Sequence, residues 1–173
     1  AIVPRRGVVG PGDPGALLVV EFFGESESEV AERAGRMALD SAVSAKTSAA
    51  VEVLDSARQA DVWKIRTSGL GLLMSKPGDA QPYSFVEDSA VDPARLADYI
   101  AKFAEIMDRE GVHAGYYAHA SVGCIQVKPV LNLKRGEDIE KMRRIAESAA
   151  DLAVEFGGAI SGEHGDGIVR SCF

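Results

Sequence analysis

The chemically richest stretch of the chain lies near its carboxyl end, over residues 161–170. It reads SGEHGDGIVR and holds three glycines, one histidine, one arginine and two carboxylates, Glu163 and Asp166. Glycines at this density allow positive φ angles and a close approach of the backbone to a ligand, and a histidine beside a carboxylate can titrate near neutral pH. The pattern predicts an active-site loop with His164 as its acid/base group. The plainer alternative is a glycine-rich turn with solvated charges.

A phosphate-binding loop is the first rival, since glycine-rich loops at helix starts bind anions through backbone N–H groups. Glu163 and Asp166 would lie where the phosphate must bind, and no Gly-Lys-Ser/Thr sequence follows. The loop also comes after a helical pattern instead of before one. These features argue against phosphate binding.

Two further motifs precede this loop: residues 63–66 read WKIR and residues 119–124 read HASVGC. Together with GEHGDGIVR over residues 162–170, they resemble the C-terminal domain of FAD-linked oxidases of the vanillyl-alcohol-oxidase superfamily. The branch that the motifs resemble contains D-lactate, glycolate and D-2-hydroxyglutarate dehydrogenases, including long forms with iron–sulfur modules. The resemblance implies an FAD-dependent oxidoreductase that oxidises a D-2-hydroxy acid.

The resemblance also implies roles for single residues. His164 would take the hydroxyl proton of the substrate as hydride leaves the α-carbon for the flavin. Arg66 would bind the substrate carboxylate, for which a guanidinium offers bidentate geometry. Glu163 and Gly165 are expected to lie against the cofactor. Without the resemblance, Arg66 reads as a surface arginine packed along Trp63 and His164 as an exposed loop histidine.

A divalent metal is an open alternative at this site. In the resembled family, two histidines separated by six residues bind a divalent metal with the glutamate of the loop. His119 and Glu163 are present, but Gln126 stands where the second histidine belongs. Because an amide oxygen is a poor zinc ligand, the site could hold a hard cation weakly, take a ligand from elsewhere, or hold no metal. In the last case His119 is a hydrogen-bonded core or edge histidine.

Composition limits the function classes. The chain has 173 residues, 46% hydrophobic and 26% charged, which fits one soluble globular domain. A net charge of -7 without a cluster of Lys and Arg argues against a nucleic-acid partner. No apolar run approaches the roughly 20 residues that span a bilayer, and no signal-peptide pattern opens the chain. A cytoplasmic location is expected, with peripheral attachment to the inner face of the membrane as the alternative.

The ends of the sequence suggest a piece of a longer polypeptide. The chain starts at Ala1 without an initiating Met and stops three residues after Arg170. Residues 1–15 hold three prolines and four glycines and read as a linker. We expect residues 1–173 to form a single substrate-side domain that is inactive alone, with an N-terminal FAD-binding domain on the same polypeptide as its partner.

Apolar periodicity predicts an alternation of strands and helices. Strands are expected at residues 16–23, 48–53 and 82–88 and on both sides of a turn within 115–131. Helices are expected at residues 26–40, 57–67, 94–110 and 137–156, the last with Ile139 on its buried face; residues 69–82 read as a loop and 160–169 as a turn or strand. This mixture predicts an α+β fold, ferredoxin-like, with a mostly antiparallel sheet and helices packed on one side.

Two functions of other classes stay open beside the oxidoreductase. A stand-alone metal-dependent hydrolase could use His119, Glu163, His164 and Asp166. A non-catalytic, ferredoxin-like binding module could carry the glycine-rich turn without any chemistry.

Overall fold

The computed structural model describes residues 15–40, 46–75 and 77–171. The chain groups into two compact units, divided after Gly71, and each unit is described by itself. The predicted linker lies outside the described residues except for Gly15. In the described ranges, none of the helices is both long and apolar enough to cross a bilayer.

The first unit contains helix α1 (Glu27–Leu39) and helix α2 (Ser56–Met74) as far as Gly71. Helix α1 begins as predicted: the Ser26 hydroxyl accepts a hydrogen bond from the Glu29 N–H at 3.3 Å. Helix α2 is capped by Asp55, whose Oδ1 accepts from the Arg58 N–H at 2.9 Å. In both helices a short polar side chain satisfies a backbone N–H that has no partner within the helix.

Two strands predicted in the first unit are absent, and the prediction was wrong there. Residues 16–23 and 48–53 form no ladder with any part of the chain that the structure describes. Their apolar side chains instead border an open groove of about 440 Å³ that helices α1 and α2 also line. Alternating apolar residues indicate a preference for burial, but a strand also needs a partner for its backbone.

The loop predicted at residues 69–82 is also partly wrong, because α2 continues through Gly69 and Gly71 to Met74. A glycine inside a helix costs about 1 kcal/mol relative to alanine, which a long helix tolerates. Glycine density alone was therefore a poor signal of a helix end here.

The second unit is built on an antiparallel sheet. Its strands are β1 (Gln81–Pro82), β2 (Val86–Ala90), β3 (Ala114–His119) and β4 (Cys124–Leu131). Strand β4 pairs with each of the other three. Helices α3 (Leu96–Glu110) and α4 (Gly136–Glu155) are long, and a short helix α5 (Gly167–Arg170) follows the carboxyl-terminal loop.

The core lies between one face of this sheet and helices α3 and α4. Ile125 and Val127 of β4 are fully buried and belong to the same cluster as Phe103 of α3 and Ile145 of α4. The predicted α+β fold with helices on one side of an antiparallel sheet is confirmed. The prediction for Ile139 was wrong: its side chain is 51% exposed, because the buried stripe of α4 starts at Ile145.

The turn between β3 and β4 requires a glycine. Gly123 has a φ of 69°, and a Cβ at this position would lie 1.8 Å from the carbonyl oxygen of Val91. The Val91 N–H in turn donates to the Gly123 carbonyl at 3.0 Å. The hairpin that carries His119 is thus held against the segment that follows β2.

Candidate active site

The sheet face opposite helices α3 and α4 carries the polar residues. Side chains alternate along a strand, so Cys124, Gln126 and Lys128 lie on the face opposite Ile125 and Val127. Their cross-strand neighbours lie on the same face. In the register, Cys124 pairs with His119, and Gln126 pairs with Tyr117 on one side and Glu87 on the other.

A β-bulge at Asp88 brings a second carboxylate to this face. The register of β2 shifts between Glu87 and Ser89, and Asp88 has a φ of 82°, a left-handed conformation that is uncommon outside glycine. Such a bulge re-aims the extra side chain, so two consecutive carboxylates need not point to opposite faces of the sheet. The Asp88 side chain is fully buried.

The glycine-rich loop runs along the free edge of β2. Ala159 and Ala90 exchange two backbone hydrogen bonds of 2.9 Å, and the Gly162 N–H donates to the Asp88 carbonyl at 2.7 Å. A Cβ on Gly162 would lie 3.0 Å from the Ala90 Cβ and 3.3 Å from the Asp88 carbonyl oxygen, so the close approach favours glycine. The sequence therefore seats the loop directly over the bulge.

The Asp88 carboxylate binds the next part of the loop. It accepts hydrogen bonds from the Ser161 hydroxyl at 2.8 Å, the Glu163 N–H at 3.1 Å and the His164 N–H at 2.8 Å. Burial alone would raise the pKa of Asp88, but these hydrogen bonds, with a weaker one from the Cys124 thiol at 3.5 Å, lower it to about 2. Asp88 is therefore a buried, ionised anchor.

His119, Glu163 and His164 meet on the exposed side of this anchor. Oε1 of Glu163 lies 3.7 Å from Nε2 of His119 and 3.6 Å from Nε2 of His164. The three side chains are 37%, 50% and 39% exposed, respectively. The two imidazoles thus approach the same carboxylate oxygen of Glu163.

The other side of the His164 ring faces two acids. Its Nδ1 lies 3.6 Å from Oε1 of Glu87 and 3.9 Å from Oδ1 of Asp88. Glu87 is itself held by Lys128, whose Nζ lies 2.5 Å from Oε2, and Lys128 also donates to the Ser84 hydroxyl at 2.7 Å. Burial would raise the pKa of Glu87, but Lys128, Ser84 and the nearby His164 together lower it. An ionised carboxylate thus faces Nδ1.

Arg66 and Trp63 belong to the first unit. The Cζ atom of Arg66 lies 5.1 Å from the centre of the Trp63 ring, which confirms that the two share a face of α2. The Arg66 side chain is exposed. The structure therefore gathers His119, Glu163 and His164 in one site and holds the Arg66 guanidinium over an aromatic ring.

The residues present fit a zinc site poorly. Gln126 lies diagonally from His119 on the same face, so only one imidazole and the Glu163 carboxylate combine in the expected way. Among the described residues, three potential ligand atoms approach within 4.8 Å only at Asp88, Cys124 and Glu163. There Asp88 already accepts several hydrogen bonds, one of them from the Cys124 thiol, and neither His119 nor His164 takes part in the group.

Beyond His164 the loop turns through Gly165 toward helix α5. Gly165 has a φ of 73°, a left-handed backbone conformation that favours glycine, and a Cβ built there would have no heavy atom within 4 Å. Asp166 precedes helix α5 without a side-chain capping bond, and the side chain of Arg170 lies outside the described residues.

Sequence reasoning missed the residues beneath the loop. Glu87, Asp88 and Lys128 were read as parts of strands, although they position or surround His164. The available signal was the pair Glu87-Asp88 at the end of an apolar run, because two consecutive acids interrupt strand alternation. The partners of these acids lie about 40 or 75 residues away in the chain and were not visible in the pattern.

Comparison with known proteins shows which family the chain belongs to. The family described as FAD linked oxidases, C-terminal domain, matches residues 5–173. The chain belongs to this family. Relatives include the D-2-hydroxyglutarate dehydrogenase of Escherichia coli, 31% identical over 156 residues, which cover 87% of this chain and 15% of that protein. The D-lactate dehydrogenase of Archaeoglobus fulgidus is 28% identical over 168 residues, which cover 96% of this chain and 33% of that protein.

A third relative is the D-2-hydroxyglutarate dehydrogenase of Haemophilus influenzae, 36% identical over 107 residues, which cover 62% of this chain and 10% of that protein. The chain thus spans between a tenth and a third of the length of these three relatives. This FAD-linked oxidase domain accordingly corresponds to one part of proteins that are much longer.

Proposed function

We propose that this chain is the substrate-side domain of a longer FAD-dependent enzyme that oxidises a D-2-hydroxy acid to the 2-oxo acid. The observation that carries the proposal is His164: its backbone is anchored by Asp88, its ring lies between Glu87 and Glu163, and 39% of its side chain is open to solvent. The names of the relatives, D-2-hydroxyglutarate and D-lactate dehydrogenases, support the substrate class.

His164 would accept the hydroxyl proton of the substrate at Nε2. Its Nδ1 lies 3.6 Å from the ionised Glu87 carboxylate, and its Nε2 lies equally close, at 3.6 Å, to the more exposed Glu163 carboxylate. A proton on Nδ1 would leave the Nε2 lone pair for the substrate. When bound, FAD supplies the acceptor for the hydride from the α-carbon. Glu163 and Gly165, which flank His164 in the loop, would border the flavin.

Arg66 would bind the substrate carboxylate. Its guanidinium is exposed and rests on the face of Trp63, which limits the orientations of a long side chain. Lys128 is unsuited to a second carboxylate on the substrate, since Glu87 and Ser84 occupy its ammonium group and only 10% of its side chain is exposed. Because Lys128 does not favour a dicarboxylate but relatives are named for one, the test compares monocarboxylate with dicarboxylate substrates.

The experiment is anaerobic flavin reduction by the full-length polypeptide that contains this chain. D-lactate, glycolate and D-2-hydroxyglutarate are compared, with L-lactate as the stereochemical control. Reduction by at least one D-2-hydroxy acid or by glycolate, and slow or absent reduction by L-lactate, is expected. The chain expressed alone should not oxidise any of them, because the hydride acceptor lies on the other domain. A flavin-free full-length protein would contradict the proposal.

A further inference from the structure

The attachment of the loop to the sheet changes character at Glu163. Up to Gly162 the loop is tied to β2 by backbone bonds, first between Ala159 and Ala90 and then from the Gly162 N–H to the Asp88 carbonyl. From Glu163 onward the backbone N–H groups bind a side chain instead. Glu163, which meets the imidazole of His119, and His164 are thus attached to the sheet by one carboxylate.

Two consecutive N–H groups converge on that carboxylate. In extended backbone, successive N–H groups point to opposite sides, so a strand cannot offer both to one acceptor. Here the N–H groups of Glu163 and His164 both donate to Oδ2 of Asp88, at 3.1 and 2.8 Å. This is the arrangement with which a backbone nest holds a bound anion, and here the anion belongs to the protein.

The burial of Asp88 is compensated by hydrogen bonds from the loop and from the strand beneath it. Burying a carboxylate is costly unless hydrogen bonds compensate it, and Asp88 accepts such bonds from Ser161, Glu163, His164 and Cys124. The Nδ1 atom of His164 also lies 3.9 Å from its Oδ1. All four donors belong to the loop or to the strand beneath it.

We propose that Asp88 is a positioning residue for the reaction. It fixes the backbone at Glu163 and His164 and so determines the positions from which these two side chains extend into the site. The inference rests on the proposed function for its catalytic consequence, but the anchoring can be tested without activity. The left-handed backbone conformation of Asp88 contributes to this anchoring, since it turns the carboxylate toward the loop.

Asp88→Asn is the direct test in the full-length flavoprotein. Asparagine keeps the shape but has one acceptor oxygen, and its NH2 group would face an N–H donor. Hydrogen exchange, read by mass spectrometry on peptides that cover the loop, should accelerate about 10-fold or more at Glu163 and His164. The rate of flavin reduction should fall about 10- to 100-fold, with substrate affinity changed less than about 2-fold, because the loss is one of geometry at the reacting group.

The matched control is Asp138→Asn. Asp138 also accepts a backbone N–H, from Asn132 at 2.8 Å, but it lies at the start of α4 and outside the site. This variant should leave loop exchange and flavin reduction unchanged. A merely structural role for Asp88 would predict global destabilisation with no selective change in rate, so equal reduction rates in Asp88→Asn and Asp138→Asn would overturn the proposal.

Ser161→Ala decides the question if Asp88→Asn does not fold. It removes one donor to Oδ2 of Asp88 and leaves the carboxylate in place. Exchange in the loop and flavin reduction should change in the same directions by about 3-fold, and no change in either would overturn the proposal. If none of the 2-hydroxy acids reduces the flavin of the unmodified protein, the proposed function fails. The hydrogen-exchange data still decide whether Asp88 anchors the loop.

Discussion

The Nδ1 atom of His164 lies 3.6 Å from Oε1 of Glu87. This contact joins two strongly separated parts of the chain, and Lys128 holds the other oxygen of the same carboxylate. Glu87 is only 19% exposed in its side chain, so water screens this contact less than it would at the surface. The ionised carboxylate therefore faces one ring nitrogen at ion-pair distance, and we expect it to influence the orientation of the imidazole.

Glu87→Gln should slow flavin reduction in the full-length protein about 10-fold, because an amide holds the ring orientation and the Nδ1 proton less well than a carboxylate. Single-turnover reduction kinetics give the rate. Glu155→Gln is the matched control, since Glu155 pairs with Lys102 on the surface. Equal rates of flavin reduction in Glu87→Gln and the unmodified protein would show that Glu87 does not contribute to the reaction.

His164→Ala should leave FAD bound but slow its reduction by about 100-fold or more, the usual contribution of a positioned acid/base group. The flavin content is measured by absorbance and the reductive half-reaction by rapid mixing. His113→Ala serves as the control, because His113 is an exposed residue directly before β3 and outside the site. A variant that keeps the full reduction rate would show that another group takes the proton.

Metal binding depends on position 126. The unmodified chain should not retain stoichiometric zinc after dialysis, because it offers an amide where an imidazole is needed. Gln126→His adds an imidazole on the same face as His119 and should raise zinc affinity about 10-fold or more. Metal analysis after dialysis measures both, with Gln126→Asn as the control. Retention of stoichiometric zinc by the unmodified chain after dialysis would mean that ligands other than those identified complete a zinc site.

The sequence was most informative where local chemistry decides the structure. Helices α3 and α4 and the β3–β4 hairpin were predicted within about two residues, because their apolar periodicity and their glycine stops act locally. The approach of His119 to Glu163 agrees with the motifs that the family resemblance had linked. These features depend on few contacts between distant parts of the chain.

The features that sequence reasoning missed depend on distant partners. Whether residues 16–23 form a strand is decided by a neighbouring backbone and not by their own alternation, and the described residues provide none. The role of Asp88 follows from a bulge and from N–H donors 75 and 76 residues later. The residues next to a buried acid in the sequence do not reveal such distant partners.

Asp88 should also govern part of the acid stability. Its pKa falls from 3.8 to about 2 in the folded chain, so its contribution is complete above pH 3.8 and is lost as the pH falls through about 2. The contribution is on the order of 2 kcal/mol, at about 1.4 kcal/mol per pKa unit. The difference in unfolding free energy between the unmodified chain and Asp88→Asn should therefore shrink between about pH 5 and pH 2. Urea unfolding at several pH values measures it, and a constant difference would contradict an ionised Asp88.

Gly123 and Gly111 form a matched pair for the stability of the hairpin beneath the site. Both have left-handed backbone, with φ of 69° and 65°, but a Cβ at Gly111 would have no heavy atom within 4 Å, whereas at Gly123 it would lie 1.8 Å from the Val91 carbonyl oxygen. Gly111→Ala should cost about 1 kcal/mol in unfolding free energy, the conformational term alone. Gly123→Ala must also move backbone and break the bond from the Val91 N–H, so it should cost about 4 kcal/mol or more. Urea unfolding of the two variants tests the difference. Similar costs would show that the turn can shift away from Val91, and the position of His119 at the end of β3 would then not depend on this contact.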